Sequence, residues 1–100
     1  MSAAIDIPEE QLAELCRRRH IRRLALFGSV LRGDFRSDSD VDVLVEFEPG
    51  HVPGLIRLAG IELEMTELLG RKVDLNTPQF FSPPLRDRVL AESEVRYVGK

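Results

Sequence analysis

"DVDVLVEFE", residues 40–48, alternates apolar and polar side chains along most of its length. Because successive side chains of a strand point to opposite faces, this period of two predicts a β-strand. Asp40 and Asp42 lie on one face of that strand, while the other face is apolar and carries Val41, Val43, Val45 and Phe47. The two carboxylates therefore do not interrupt the core, and one face of the sheet is polar.

The rest of the chain is predicted to alternate helices and strands. A short helical turn follows Gly28, with Ser29 as its N-cap, and Gly70 ends a long apolar helix. Helices are predicted over residues 8–19, 55–69 and 84–93, and further strands over 22–28, 71–77 and 94–99. This order indicates an α/β (α+β) fold, a small mixed β-sheet with helices mainly on one face.

Length and composition limit the class of protein. One hundred residues, 43% hydrophobic and 31% charged, predict a single domain over residues 1–100. A net charge of −3 argues against broad nucleic-acid binding, which depends on neutralising phosphates. Cys16 is the only cysteine and lies on an apolar helix stripe, which predicts a core residue in a reducing compartment. No apolar run approaches the ~20 residues of a membrane span, and no signal peptide is evident, so we expect a cytoplasmic protein.

Three carboxylates are predicted to meet on the polar face. Asp40 and Asp42 are two positions apart on one strand, with Cα atoms ~6.5–7 Å apart. Asp74 has the same relation to its apolar neighbours, and would stand ~4.8 Å away if its strand lay beside the first. Their repulsion, about 4 kcal/mol per pair at 4 Å and an effective dielectric constant of 20, favours a bound cation. Carboxylate oxygens suit Mg²⁺ or Mn²⁺, and two such ions could bridge them.

Gly28 and Ser29 are predicted to bind phosphate. A glycine at the end of a strand lets the backbone approach a ligand closely, and the following turn offers N–H groups and a hydroxyl. The histidines, His20 and His51, are not at a ligand spacing from each other, so the sequence favours surface residues over zinc ligands. Five arginines in residues 17–23 favour a cationic helix end followed by exposed strand positions, with an acidic partner or a nucleotide as the alternative.

The pattern of Gly-Ser, ten residues, Asp-x-Asp and a third Asp on a later strand resembles the DNA polymerase beta-like nucleotidyltransferase superfamily. Within it, the chain is most similar to the minimal nucleotidyltransferases (MNT proteins). The resemblance implies a nucleotidyltransferase fold and the transfer of a nucleoside monophosphate, usually from ATP. It implies that Asp40, Asp42 and Asp74 are the catalytic and metal-binding residues for two Mg²⁺ ions, with Mn²⁺ as an alternative. It also implies that the nucleotide-binding residues are Gly28, Ser29, Arg32 and Gly33.

The same resemblance implies a partner. MNT proteins are typically encoded beside HEPN-domain proteins and act as the antitoxin of that pair, so a hetero-oligomer is expected. The implied reaction is protein adenylylation, in which AMP passes from ATP to a tyrosine of the HEPN toxin and inactivates it. Two alternatives stay open: a non-catalytic antitoxin that occludes its partner, and a nucleotidyltransferase that acts on a small molecule or on RNA.

Overall fold

The computed structural model describes residues 5–32, 35–36 and 38–99, and these residues form a four-stranded mixed sheet with helices. The sheet order is β3-β2-β1-β4, in which β1 is antiparallel to both of its neighbours and β2 is parallel to β3. The strands are β1 (Ile21–Phe27), β2 (Val41–Phe47), β3 (Val73–Asn76) and β4 (Glu94–Val98), and the helices are α1 (Glu9–Arg18), α2 (Leu55–Leu69) and α3 (Pro83–Glu92). Two short 3₁₀ turns, Gly28–Leu31 and Pro78–Phe80, connect them. The predicted α/β class and mixed sheet are confirmed.

One apolar core lies between the sheet and the helices α1 and α2. Its members come from α1, α2, β1 and the turn after it, and from alternate positions of β2 and β3, as a period of two predicts. Burying each large side chain contributes about 1.5–3 kcal/mol. The buried side chains include Leu12, Leu15, Leu24, Leu26, Val43, Val45, Ile61 and Met65. Cys16 is also buried, and burial raises the pKa of its thiol to about 12, so it behaves as the predicted core residue.

Most element ends agree with the prediction, and the differences have local causes. Gly70 ends α2 in the left-handed conformation, with its N–H donating to the carbonyl of Thr66, as expected. Pro8 flanks α1 as its N-cap instead of lying inside the first turn. Ser29 is not an N-cap: the turn starts at Gly28, after the extended Phe27, without a side-chain cap. β1 starts one residue early because the chain reverses at His20, whose φ is +59°.

The polar face of the sheet is less open than the sequence suggests. Ala25 and Leu44 lie on this face, yet they are only 2% and 3% exposed. The chain leaves β3 at Thr77 and crosses the face to Phe81, whose ring meets the edge of Phe27 at 5.9 Å between centroids. The segment therefore reaches the end of the face where Phe27 stands beside Asp42, while Asp40 and Asp74 remain exposed.

Arg86 of α3 holds this crossing segment in place. Its guanidinium donates to the carbonyl of Pro78 at 2.9 Å and to that of Phe81 at 3.2 Å. Of the two aromatic residues that the sequence places in this loop, Phe81 is half-buried against Phe27, whereas Phe80 is 53% exposed. Leu55, the first residue of the long apolar helix α2, is exposed. No helix in the described ranges is long and apolar enough to span a membrane.

Candidate active site

Asp42 is the central residue of the candidate site. It pairs with Phe27 across the antiparallel ladder and with Asp74 across the parallel one, so the three side chains share the polar face. The sequence analysis placed Asp74 near Asp42 only if the two strands were neighbours, and β3 does lie beside β2. Asp42 is half-buried, whereas Asp40 and Asp74 are exposed. We call this end of the sheet, where β1 ends and β2 and β3 begin, the carboxylate end.

Burial and neighbouring negative charge both act on Asp42. Burial raises the pKa of Asp42 above its usual value, and the charges of Asp74 and Asp40, together with a hydrogen bond to the Asp74 side chain, raise it further. The nearby charge of Arg32 partly opposes this shift in pKa. The charge of Arg32 therefore does not offset burial and the charges of the two neighbouring carboxylates. Hard oxygen donors with uncompensated negative charge fit a divalent cation such as Mg²⁺.

Gly28 is required at this site for two reasons. Its φ is +78°, a conformation that L side chains rarely adopt. A Cβ atom added to it would also overlap Oδ2 of Asp42 and lie 3.1 Å from its Cγ. The glycine therefore makes room for the carboxylate of Asp42 itself. The sequence pattern assigned Gly28 to the close approach of a ligand, and the structure adds this packing role.

The Gly28–Leu31 turn is held in place by core packing and by a backbone hydrogen bond. Val30 is buried in the core, and the N–H of Arg32 donates to the carbonyl of Ser29 at 3.0 Å. Ser29 is half-buried and Arg32 is exposed, next to Asp42. The structure thus brings Gly28, Ser29 and Arg32 to the three carboxylates. Gly33, the remaining predicted site residue, lies outside the described residues.

Two residues of α2 fix the strand that carries Asp74, and sequence reasoning did not identify them. The N–H of Val73 donates to Oγ1 of Thr66 at 3.0 Å, and the N–H of Leu75 donates to Oε2 of Glu62 at 2.8 Å. These bonds give partners to two N–H groups on the edge of β3 that faces away from β2. Glu62 and Thr66 are four positions apart on a largely apolar helix, and this spacing is the one signal that marks them.

A cleft of about 510 Å³ adjoins Asp40 and is lined by Asp38, Ser39, Gly70, Arg71 and Lys72. Arg71 lies over the Phe35 ring at 4.9 Å and donates to the carbonyl of Arg36 at 3.3 Å. These contacts tie Arg71 to the segment that precedes β2. A larger cleft, about 900 Å³, lies between α1 and α2. None of the three carboxylates and no residue of the Gly28–Leu31 turn lines it, so we assign the chemistry to the carboxylate end.

The opposite end of the β1–β2 pair holds the two histidines, and we call it the histidine end. His20 precedes β1, and His51 follows β2. Both are exposed, as predicted, but the expectation that they lie apart is wrong: their rings stack with centroids 3.9 Å apart, beside Glu48. Sequence separation hid this contact, because the antiparallel pairing of β1 and β2 brings the two turns together.

The arginines of residues 17–23 are largely committed to ion pairs. Arg18 and Arg19 contact the carboxylate of Glu64 at 2.6 and 3.0 Å. Arg22 contacts Glu46 at 3.4 Å. This arrangement agrees with the preferred interpretation, a cationic helix end followed by exposed strand positions.

Comparison with known proteins identifies the class. Residues 9–96 match the family described as nucleotidyltransferase domain, and the chain belongs to that family. It is an enzyme of the nucleotidyltransferase class, and its relatives include minimal nucleotidyltransferases. The protein adenylyltransferase MntA of Thermococcus cleftensis is 38% identical over 79 residues, which cover 79% of this chain and 78% of that protein.

Solved structures agree with this assignment. The structure of a minimal nucleotidyltransferase is 41% identical, with a TM-score of 0.71 over 85% of each chain. Two toxin–antitoxin complexes share the fold at lower identity. One, with AMP-PNP, is 21% identical with a TM-score of 0.75 and covers 94% of this chain and 76% of its own. The other is the tri-AMPylated Shewanella oneidensis HEPN toxin with its MNT antitoxin, 19% identical with a TM-score of 0.66 over 91% and 70%.

Proposed function

We propose that this protein is the antitoxin of a HEPN–MNT pair and transfers AMP from ATP to a tyrosine of its cognate HEPN toxin. The observation that carries the proposal is the position of Asp42, whose carboxylate lies against Gly28 and pairs in register with Asp74. A fold alone does not define an activity, but this arrangement places a carboxylate cluster beside a turn suited to phosphate. The relative from Thermococcus cleftensis is named for the same chemistry.

Asp40, Asp42 and Asp74 would hold the metal, which we take to be two Mg²⁺ ions, with Mn²⁺ as a substitute. Bound there, the ions would supply positive charge for the phosphates and the reacting oxygens. The fit rests on this chain: Asp42 stands in register with Asp74, and burial together with the charges of Asp74 and Asp40 raises the pKa of Asp42. The two residues of α2 that bond to the edge of β3 keep Asp74 in register.

Gly28 and Ser29 would hold the triphosphate of ATP through backbone N–H groups and the serine hydroxyl. Arg32 would contact a phosphate with its guanidinium, and Gly33 would complete the Arg-Gly pair of the loop. The tyrosine hydroxyl of the acceptor then releases its proton to water, and its oxygen forms a bond to the α-phosphorus. The bond from that phosphorus to the bridging oxygen breaks, and pyrophosphate leaves. Binding and alignment of these groups are the contribution of the chain.

The acceptor would arrive on another chain. Asp40 and Asp74 are exposed, so the carboxylate end is accessible to a side chain presented by a partner. The Shewanella oneidensis complex, in which a HEPN toxin carries AMP, supports a HEPN protein as that partner and a hetero-oligomer as the assembly. We further propose that residues 1–100 act as one domain and that the reaction takes place in the cytoplasm.

The test is AMP transfer to the partner. We expect intact-mass and peptide mass spectrometry to show added AMP on a tyrosine of the HEPN protein after incubation with this protein and Mg-ATP. Asp40→Asn should abolish the adduct, whereas the control Asp38→Asn, at an exposed turn position outside the strand, should retain it.

The outcomes separate the alternatives. An inhibited partner without any AMP would support the occluding antitoxin and contradict the proposal. AMP found only on RNA or on a small molecule would keep the enzyme class but overturn the acceptor. An adduct that persists in Asp40→Asn would contradict the assigned site.

A further inference from the structure

We propose that His20, Glu48 and His51 form a second metal site, selective for a borderline divalent cation such as Zn²⁺, at the histidine end. Each of the three residues offers one ligand atom, and these atoms all lie within 4.8 Å of one another. The Nδ1 atom of His20 is 3.7 Å from Oε1 of Glu48. Ligands at about 2.1 Å from a tetrahedral Zn²⁺ lie about 3.4 Å apart, so the cluster needs shifts on the order of 1 Å to close.

The backbone fixes the three residues relative to one another. The N–H of Glu48 donates to the carbonyl of His20 at 2.8 Å, and the N–H of His51 donates to the carbonyl of Glu48 at 3.0 Å. The turn before β1 and the turn after β2 are thus joined by the same residues that offer the ligands. The side chains remain adjustable, because those of His20 and Glu48 are 50% and 40% exposed. Rotation of the stacked imidazole rings can aim one nitrogen from each toward a common point.

His20 is held in an unusual conformation for its residue type. It is the one non-glycine residue with a positive φ in the described ranges, at +59°. A left-handed conformation is costly for a residue with a side chain, although histidine tolerates it better than bulky or branched residues do. Here it turns the chain from α1 into β1 and sets the imidazole beside His51.

The chemistry differs from that of the carboxylate end. Two imidazoles and one carboxylate favour Zn²⁺ over Mg²⁺, which prefers oxygen ligands. The two ends are separated by the seven residues of β1, about 20 Å of strand. Arg18 and Arg19 line the cavity next to the histidines, but both are paired with Glu64, which reduces their repulsion of a cation. Arg57 also lines this cavity and is exposed to solvent, which screens its charge.

The experiment uses the full chain without a histidine tag, stripped of metal by a chelator. We expect Zn²⁺ to shift the imidazole NMR signals until one ion is bound at this site per chain, and to raise the Tm by several degrees. Because the chain has two histidines and both lie here, these signals report on this site alone. Mg²⁺ should leave the imidazole signals unchanged.

Three variants and one control complete the design. His20→Gly should fold at least as well as the wild type, since glycine adopts φ +59° without strain. It should bind Zn²⁺ at least tenfold more weakly, as should Glu48→Gln and His51→Ala. The control Asp42→Asn should bind Zn²⁺ at this site as the wild type does. The proposal is overturned if Zn²⁺ leaves the imidazole signals unmoved, if binding survives in His20→Gly, or if Asp42→Asn abolishes it.

Discussion

The two ends of the β1–β2 pair gather polar side chains in different ways. At the carboxylate end, Asp42 and Asp74 stand on neighbouring strands, and the strand register sets their separation. At the histidine end, His20 and His51 stand on turns, and backbone hydrogen bonds through Glu48 bring them together. The first end has one half-buried carboxylate beside two exposed ones and is negative, whereas the second is largely exposed and of mixed charge. A strand end can thus hold crowded charge in a fixed geometry, while turns leave ligands room to adjust.

Among the variants that leave all three carboxylates in place, Gly28→Ala should have the largest effect. Gly28→Ala should lower transfer activity more than about 100-fold, because the added methyl group displaces the carboxylate of Asp42. It should also destabilise the fold by about 1–3 kcal/mol, since alanine would have to adopt φ +78°. Activity assays and urea unfolding measure the two effects.

Gly60→Ala is the matched control. Gly60 lies inside α2, and a Cβ there meets nothing within 4 Å. This variant should gain about 0.5–1 kcal/mol of stability and keep its activity. Equal losses in both variants would show that the environment of Gly28 is not special.

Asp74→Asn separates stability from activity at the same end. It removes one of the negative charges that raise the pKa of Asp42. A carboxyl group with a raised pKa in the folded state makes stability fall as pH rises from its unfolded to its folded pKa. In EDTA, the variant should therefore lose less stability over that range and be more stable at pH 7, by up to about 1 kcal/mol.

The same variant should lose nucleotidyl transfer, because Asp74 is one of the proposed metal ligands. Asp87→Asn, at an exposed position of α3, serves as its control and should change neither property. A variant at position 74 that is less stable than the wild type in EDTA would contradict the account of crowded charge.

The support of β3 by α2 predicts a smaller effect. Thr66→Val removes the acceptor for the N–H of Val73 and should cost about 1 kcal/mol of stability. Transfer activity should fall with it, because Asp74 follows Val73 on the same strand. Thr66→Ser keeps the hydroxyl and should retain most of both, by urea unfolding and AMP transfer. Equal behaviour of the two variants would argue against this hydrogen bond as the support.

The smallest effect concerns the ion pairs near the histidine end. Hydrogen bonds and charge from Arg18 and Arg19 lower the pKa of Glu64, so its contribution to stability is present at neutral pH and is lost as pH falls through that lowered pKa. Because solvent screens this pair, Glu64→Gln should cost only a few tenths of a kcal/mol at pH 7. Unfolding of both proteins from pH 7 to pH 2 should show this difference shrinking toward the acid end.

A feature of the fold could be predicted from the sequence when neighbouring residues alone determine it. Asp40 and Asp42 were predicted to share a face because they are two positions apart on one strand. Placing Asp74 on the same face needed only one further condition, that its strand lies beside theirs. The bonds from Glu62 and Thr66 to β3 were not predictable, because they depend on how α2 packs against the sheet edge.

Two further features depended on the topology. The crossing of residues 77–81 over the polar face follows from the sheet order, since the chain leaves β3 at one edge and returns as β4 at the other. The contact of His20 with His51 follows from the antiparallel register of β1 and β2. In both cases, residues far apart in the sequence meet only after the strands have paired.

The central claim is that Asp42, set between Gly28 and Asp74, is essential to AMP transfer. Its most direct test is the single-turnover rate of AMP transfer from Mg-ATP to the HEPN partner, measured for the wild type and for Asp42→Asn. We expect a loss of at least about 1,000-fold in a variant that stays folded, because a proposed metal ligand is removed. A rate within tenfold of the wild type would contradict the claim.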